Sequence, residues 1–352
     1  MEKSELASYL NPRKLELILL PTENCNFRCT YCYEDFEIGQ MKDNTVQAIK
    51  KFILNRLPKL THLSISWFGG EPLMAKGVVL QLCEFAKAEA AAAGVRFSSS
   101  MTTNAFGLTR ETFDALTAVN VRSYQISIDG DAEAHDQTRK LISGRGSFQR
   151  IWDNLRSLRS STEKFAILLR LHIHSENIDS LHALLPKIHA EFGADPRFTV
   201  FLKPVGNWGG SSVKQMQLLK SPDEIVADLR AVLQNLGWFN NRTEAREITE
   251  VGAEDKRVTP CYAARSNSFV IRADGRLAKC TVAFNDERNV VGHINDDGTL
   301  HIVNQKMQGF MRGFQSMNEE ELYCPMKGMP GEKEVKVIKF EKKPEPELAE
   351  VA

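Results

Sequence analysis

The sequence shows no excess of charge of either sign: 45 lysines and arginines stand against 45 aspartates and glutamates. That balance removes the electrostatic case for a nucleic-acid binder or for a protein held on an anionic membrane. No run of about eighteen apolar residues occurs, the minimum for a membrane-spanning helix. Met1 to Lys14 carries charges where a secretory signal would carry an apolar stretch. A cytoplasmic, reducing compartment is therefore expected, with no disulfides stapling the fold. Cysteine is scarce, seven in 352 residues, so its placement carries information.

Three of the seven are Cys25, Cys29 and Cys32, in the run Cys-Asn-Phe-Arg-Cys-Thr-Tyr-Cys. No second Cys-x2-Cys pair or cysteine–histidine pair lies close by, as a zinc site would require. Three thiolates at this spacing suit three irons of a cubane iron–sulfur cluster, leaving the fourth iron without a protein ligand. An iron with an open position binds and reduces a small molecule, which points to catalysis rather than electron storage. Oxygen-sensitive chemistry of this kind agrees with a reducing compartment.

From Lys14 to Lys203 short apolar runs alternate with longer amphipathic ones. Leu15–Pro21, Leu63–Phe68, Phe97–Thr103, Val121–Ile128, Ala166–His172 and Phe198–Lys203 read as strands. Several are nearly continuous apolar runs, the pattern of parallel strands covered on both faces. Asp43–Leu57, Lys76–Ala92, Thr109–Ala118, Ser147–Arg156 and Asn177–His189 carry helical periodicity. The rhythm predicts six βα units around a parallel sheet. In such barrels active groups gather at the carboxy-terminal strand ends, where the cysteine loop, Gly69–Glu71, Asn104 and Ser127–Gly130 all fall.

These residues resemble the motif series of radical S-adenosylmethionine (SAM) enzymes. Trp67-Phe68-Gly69-Gly70-Glu71-Pro72 resembles the family's Gly-Gly-Glu motif. Thr102-Thr103-Asn104-Ala105 resembles its Thr-Asn-Gly strand end, with alanine in place of glycine, and Ser127-Ile128-Asp129-Gly130 resembles its Ser-x-Asp-Gly strand end. The resemblance spans roughly residues 14–210 and implies an α/β fold, a partial (β/α)6 TIM-like barrel. It implies a [4Fe-4S] cluster on Cys25, Cys29 and Cys32 whose open iron chelates SAM, and a 5′-deoxyadenosyl radical that takes hydrogen from substrate. Gly70 and Glu71 are then candidates at the SAM ammonium, with Asn104, Ser127 and Asp129 as further cofactor contacts. Arg170 interrupts the apolar run Ile167–Leu171, where an unpaired charge would be costly. It is expected at the barrel mouth, paired with the SAM carboxylate or a strand-end acid. His135, Asp136 and Arg139 follow the fourth strand closely enough to reach the pocket, with Arg150 a weaker candidate. Cys83, in the stretch Leu80–Phe85, reads as core packing.

Beyond Val205 the texture changes. Gly206–Ser212 is a glycine-rich loop holding Trp208, and Pro222–Leu236 reads as a helix. Phe269–Ile271 and Leu277–Cys280 read as strands joined by an Asp274-Gly275 turn. The segment from Cys261 to Cys280 resembles the opening of a SPASM or shorter twitch extension, a small C-terminal module holding auxiliary iron–sulfur clusters. Cys324-Pro-Met-Lys327 resembles the start of a later pair, with lysine where the second cysteine would stand. Cys261, Cys280 and Cys324 thus suffice for one auxiliary cluster, not two. The expected division is a lead-in (1–13), the barrel (14–210), a linking helical segment (211–260), the extension (261–330) and a disordered tail (331–352).

The resemblance implies a maturase acting on a ribosomally made precursor peptide. It abstracts a side-chain hydrogen and closes a carbon–carbon (cyclophane-type) or thioether crosslink, with the auxiliary cluster taking the electron. A dehydrogenase of a small molecule or a protein side chain is the alternative. A sulfatase-maturating enzyme would normally carry a fuller auxiliary cysteine set, and an epimerase would need a thiol to return hydrogen. A plain iron–sulfur electron carrier would not need the strand-end motifs. Expected partners are the precursor peptide and an electron donor such as a flavodoxin or ferredoxin. A separate leader-binding protein joins them if the leader does not dock on the barrel or the extension, since little sequence precedes Lys14.

Overall fold

The alternation of apolar and amphipathic stretches becomes a sheet with crossover helices. The computed structural model describes residues 9–210, 213–238 and 260–330; the expected tail at 331–352 and part of the 211–260 link lie outside them. In chain order the elements are β1 (Lys14–Leu19), β2 (Phe27–Cys29), α1 (Asp43–Arg56), β3 (His62–Trp67), α2 (Lys76–Ala92), β4 (Arg96–Thr103) and α3 (Arg110–Ala118). There follow β5 (Val121–Ile128), α4 (Ala132–Thr138), β6 (Arg139–Leu141), α5 (Phe148–Leu158), β7 (Ala166–Ile173), α6 (Ile178–Phe192), β8 (Phe198–Pro204) and α7 (Pro222–Asn235). The extension supplies β9 (Ser268–Ile271), β10 (Arg276–Ala278), β11 (Val290–Ile294), β12 (Leu300–Ile302), α8 (Asn304–Ser316) and α9 (Glu319–Tyr323).

One sheet runs β12-β11-β10-β9-β1-β3-β4-β5-β7-β8. From β1 to β8 all neighbours are parallel, which is the partial (β/α)6 barrel. The strands are covered unequally, a departure from the expected burial on both faces. In β7, Leu169 and Leu171 are fully buried in the main core, while Arg170 and His172 alternate with them on the opposite face. In β5, Gln125 and Ser127 stand opposite Tyr124 and Ile126 in the same way. The inner face of these strands is polar because it surrounds a cavity.

Only the β1 end is apolar on both faces. Ile18 and Leu20 join Val270, Ala278 and Phe284 in a second, smaller cluster. The cause is the extension: β9 adds to the barrel sheet in parallel, with Glu16 beside Ser268 and Leu19 beside Ile271. Gly275, at φ +87°, makes the turn that returns β10 antiparallel to β9. The extension therefore continues the barrel sheet. It is also bolted to the cysteine loop, since the Arg272 guanidinium donates from Nε and Nη2 to the Glu23 carboxylate at 3.2 and 2.5 Å. The Ala273 amide adds a third bond to Glu23 at 3.2 Å.

Candidate functional site

The cysteine loop leaves β1 and crosses the carboxy-terminal mouth of the barrel. Its middle is fixed by β2 pairing antiparallel with β6, Cys29 opposite Arg139. The Thr30 amide donates to the Thr138 carbonyl at 3.0 Å and the Cys32 amide to the Cys29 carbonyl at 3.1 Å. All three cysteines are free and half-buried, and they line a cavity of about 390 Å³. Burial foremost pushes the Cys25 and Cys32 thiols up to about 12 and raises Cys29 as well. They keep their protons until a metal displaces them. Among the described residues no three His, Cys, Asp or Glu groups converge as they would on a single ion. A cluster makes no such demand, because each thiolate takes a different iron. The Cys25 sulfur already accepts the Phe27 amide at 3.3 Å, the kind of hydrogen bond that tunes cluster thiolates. The donor set fits an iron–sulfur group.

The loop after β3 packs directly beneath the cysteine loop. A Cβ on Gly70 would lie 2.3 Å from the Asn24 carbonyl oxygen, and one on Gly69, at φ +101°, 2.6 Å from that of Thr22. Only glycine permits this approach. Glu71 stands behind the cavity wall. Its carboxylate accepts the Leu73 amide at 3.0 Å, the Thr103 hydroxyl at 2.7 Å and the Asn104 amide at 2.7 Å. Burial raises its pKa against those three bonds. Glu71 thus holds the β3 and β4 ends together, while Asn104 reaches the cavity and donates to Asn26 Oδ1 at 2.8 Å. Ala105 has φ 61°, which accounts for the glycine usual at that place.

Ser127 lines the cavity; Asp129, fully buried, does not. Asp129 accepts from Tyr31 at 2.7 Å and Thr138 at 2.8 Å, and lies 3.2 Å from His172 Nδ1. Burial alone would raise its pKa, yet the bond to His172 and the charge of Arg139 hold it well below the ordinary range. Arg139 donates to the Tyr31 hydroxyl at 2.7 Å and faces the cavity. His135 instead is buried against Ser147 at 3.1 Å, Asp136 caps α5 through the Ser147 and Phe148 amides, and Arg150 is exposed. Cys83 sits in the core, where the Trp67 indole donates to its sulfur at 3.2 Å.

Arg170 lines the cavity, and its Nε is buried without a partner among the described residues. Sequence reasoning missed two residues that share this wall, His172 and Lys203. The alternation Leu169-Arg170-Leu171-His172 carries the signal for the first, since residues two apart share a strand face. Lys203 is paired in register with His172. Gly206 and the half-exposed Trp208 line the same cavity as Thr281 and Val282 of the extension. Gly210, at φ +88°, presses against the Cys32 carbonyl.

The second cysteine set also converges. Burial, then the neighbouring Cys280 and Cys324 thiols, push Cys261 up to about 11. The Cys261 amide donates to the Leu322 carbonyl at 2.9 Å. Asn289 clamps the Cys280 turn, accepting the Lys279 and Cys280 amides at 3.0 and 2.8 Å and donating to the Cys280 and Ala283 carbonyls at 2.8 and 2.9 Å. The Val282 amide donates to the Cys280 sulfur at 3.4 Å. Of the three, Cys280 immediately precedes Thr281 and Val282, which line the cavity.

The family model of the radical SAM superfamily matches residues 19–185. The chain therefore carries a radical SAM domain over those residues, the unit of a family of enzymes. That family uses a [4Fe-4S] cluster and SAM, which the Cys25, Cys29 and Cys32 thiols fit. A cysteine-type anaerobic sulfatase-maturating enzyme of Clostridium novyi is 27% identical over 315 residues, 84% of this chain and 80% of the relative. Among solved structures, anSMEcpe with bound AdoMet and Cp18Cys peptide superposes with a TM-score of 0.62 at 18% identity, over 84% of this chain and 80% of that one. Streptococcus suis SuiB bound to precursor peptide SuiA gives 0.53 at 12%, over 81% and 63%. At these identities the structural likeness establishes the fold. No helix among the described residues is long and apolar enough to cross a membrane.

Proposed function

We propose that this radical SAM enzyme is a maturase that modifies a side chain within a peptide. One observation carries the reading: Cys25, Cys29 and Cys32 line a single cavity together with Thr281 and Val282, which follow Cys280 in the chain, and with the half-exposed Trp208. A substrate residue bound there lies close to the first thiol set and to the residues that follow Cys280, and the half-exposed Trp208 among the lining residues suits a chain that continues out of the site. The peptides bound to anSMEcpe and SuiB support this substrate class.

When bound, the cluster and SAM supply a 5′-deoxyadenosyl radical that removes one hydrogen atom from substrate. The protein's part is to hold and orient. Gly70 and Asn104 offer close backbone and amide contacts, Ser127 a hydroxyl, and Arg170 a cation for the SAM carboxylate. Glu71 and Asp129 act from behind the wall by fixing Asn104, Tyr31 and His172. Closing a crosslink then releases one proton and one electron. His172 Nε2 is placed to accept the proton, because ionised Asp129 holds Nδ1 as the donor. Cys261, Cys280 and Cys324 would hold an auxiliary iron–sulfur group, which would supply a one-electron acceptor, with another protein group, solvent or substrate completing its ligands.

The first reading is ring closure, carbon–carbon or thioether. Oxidation of a single serine or cysteine is the second, favoured by the match to the Clostridium novyi enzyme despite the small auxiliary cysteine set. A flavodoxin or ferredoxin would supply the electrons, and the leader would dock on the barrel, the extension or a separate protein. The test is anaerobic reconstitution with SAM, reductant and candidate substrate peptides, any short reading frame beside the gene first among them, followed by tandem mass spectrometry. Loss of a hydrogen pair with two residues linked supports ring closure; a change confined to one residue supports oxidation. Failure to form 5′-deoxyadenosine would refute the radical mechanism itself.

A further inference from the structure

The cavity holds more positive charge than its own walls neutralise. Arg139, Arg170 and Lys203 line it, with Glu34 the single lining carboxylate. Arg139 is answered through Tyr31 by Asp129. The charges acting on Glu34 are those of Glu23 and Asp35, on either side of the three cysteines, and of Arg272 on the extension. That leaves Arg170 and Lys203 without an ion pair or hydrogen bond among the described residues. Each sits on the inner face of an adjacent strand end, and the charge acting on Lys203 is that of Arg170, which with burial lowers its pKa.

Loading the site does not remove the surplus. A cubane on three thiolates carries about one negative charge, and SAM coordinated through its neutral amine adds none overall, so the two cations are not both offset. The carboxylate of SAM takes one cation. Register decides which: Arg170 lies beside Ser127 across β5–β7, whereas Lys203 is level with His172, two residues nearer the mouth, a displacement of about 6–7 Å along the strand.

We propose that Lys203 is the recognition site for a carboxylate of the substrate, an acidic side chain close to the modified residue, with Arg170 left to SAM. This rests on the peptide reading above and specifies the peptide. The Lys203 ammonium is a compact point charge on a flexible stem, suited to one carboxylate at varying distance along a bound strand. Glycines at 206, 209 and 210 leave backbone exposed beside it for such a strand.

The test is selection from a randomised short-peptide library, centred on fixed serine or cysteine, against the reconstituted, SAM-saturated holoenzyme without reductant. Wild type is expected to enrich aspartate and glutamate near the fixed residue by about tenfold. Lys203→Met is expected to lose that enrichment, and Lys203→Glu to enrich lysine and arginine instead. SAM affinity, measured by equilibrium dialysis, stays unchanged in Lys203→Met and falls in Arg170→Met, which also shows that the Lys203 variant is folded. Peptides selected without acid enrichment, or with enrichment that survives Lys203→Met, overturn the assignment and leave the peptide reading standing. Selection of no peptide by SAM-competent enzyme overturns the peptide reading and the assignment with it. Tripolyphosphate binding lost in Lys203→Met would then put the anion on a small molecule.

Discussion

Replacing Arg272 with methionine tests how the extension is attached to the cysteine loop. Arg272 and Glu23 are 3% and 0% exposed, and the carboxylate accepts three hydrogen bonds, two from the guanidinium and one from the Ala273 amide. Arg272 Nη1 also donates to the Phe284 carbonyl at 3.3 Å. Arg272→Met keeps most of the apolar stem but leaves a buried carboxylate with one amide donor. Breaking a buried pair from one side costs about 3–5 kcal/mol. Removing both charges in Glu23→Leu/Arg272→Met is expected to recover most of that, because desolvation offsets much of the pair's attraction. The assay is urea unfolding of cluster-free protein under reducing conditions, with the double-variant cycle giving the coupling. Glu23 lies two residues before Cys25, so iron retained by the first cysteine set should fall in the single variant. A single variant within about 0.5 kcal/mol of wild type would refute the reasoning, since an exposed pair would behave that way.

Gly70→Ala is expected to destabilise the protein by about 1–3 kcal/mol and to abolish SAM binding measured by equilibrium dialysis, because its Cβ would enter the Asn24 carbonyl. Anaerobic reconstitution should give about eight irons per chain, falling to about four when Cys261, Cys280 and Cys324 become alanine; about four in wild type would remove the auxiliary cluster. Burial holds His135 down to about 4 in the folded protein, against about 6.5 unfolded. The unfolded state therefore binds more protons between those values, so stability is full above about pH 6.5 and declines as pH falls towards 4. The loss is up to about 3 kcal/mol, and His135→Gln should flatten that slope in urea titrations at stepped pH.

The barrel was largely legible because its signals are local. Val121–Ile128 and Lys76–Ala92 coincide with the expected strand and helix, and the other barrel strands begin and end within two residues of expectation. What escaped depends on residues distant in sequence. β2 and β6 are three residues each and show no periodicity of their own; they exist because Phe27–Cys29 meets Arg139–Leu141. The pairing of β9 with β1 joins segments some 250 residues apart, which no local pattern records. The polar inner face was misjudged because apolar runs such as Ile167–Leu171 mask the alternation that places Arg170 and His172 together.

The same limit explains why some motif residues act indirectly. Glu71 and Asp129 are recognisable by the motifs they share with the radical SAM family, and that resemblance implies that Glu71 touches the cofactor and that Asp129 either does so or shapes its turn. The structure gives Glu71 three protein donors and Asp129 bonds to Tyr31, Thr138 and His172. A carboxylate so engaged has little capacity left for a ligand. Its effect is transmitted through the groups it orients: Asn104 beside Cys25, and His172 beside Lys203. Conservative variants separate the two roles. Glu71→Gln retains an acceptor for Thr103 or Asn104 but loses the charge, so it should weaken SAM binding less than Asn104→Ala does. Direct pairing of Glu71 with the SAM ammonium would reverse that order, and equilibrium dialysis on the reconstituted variants reads it directly.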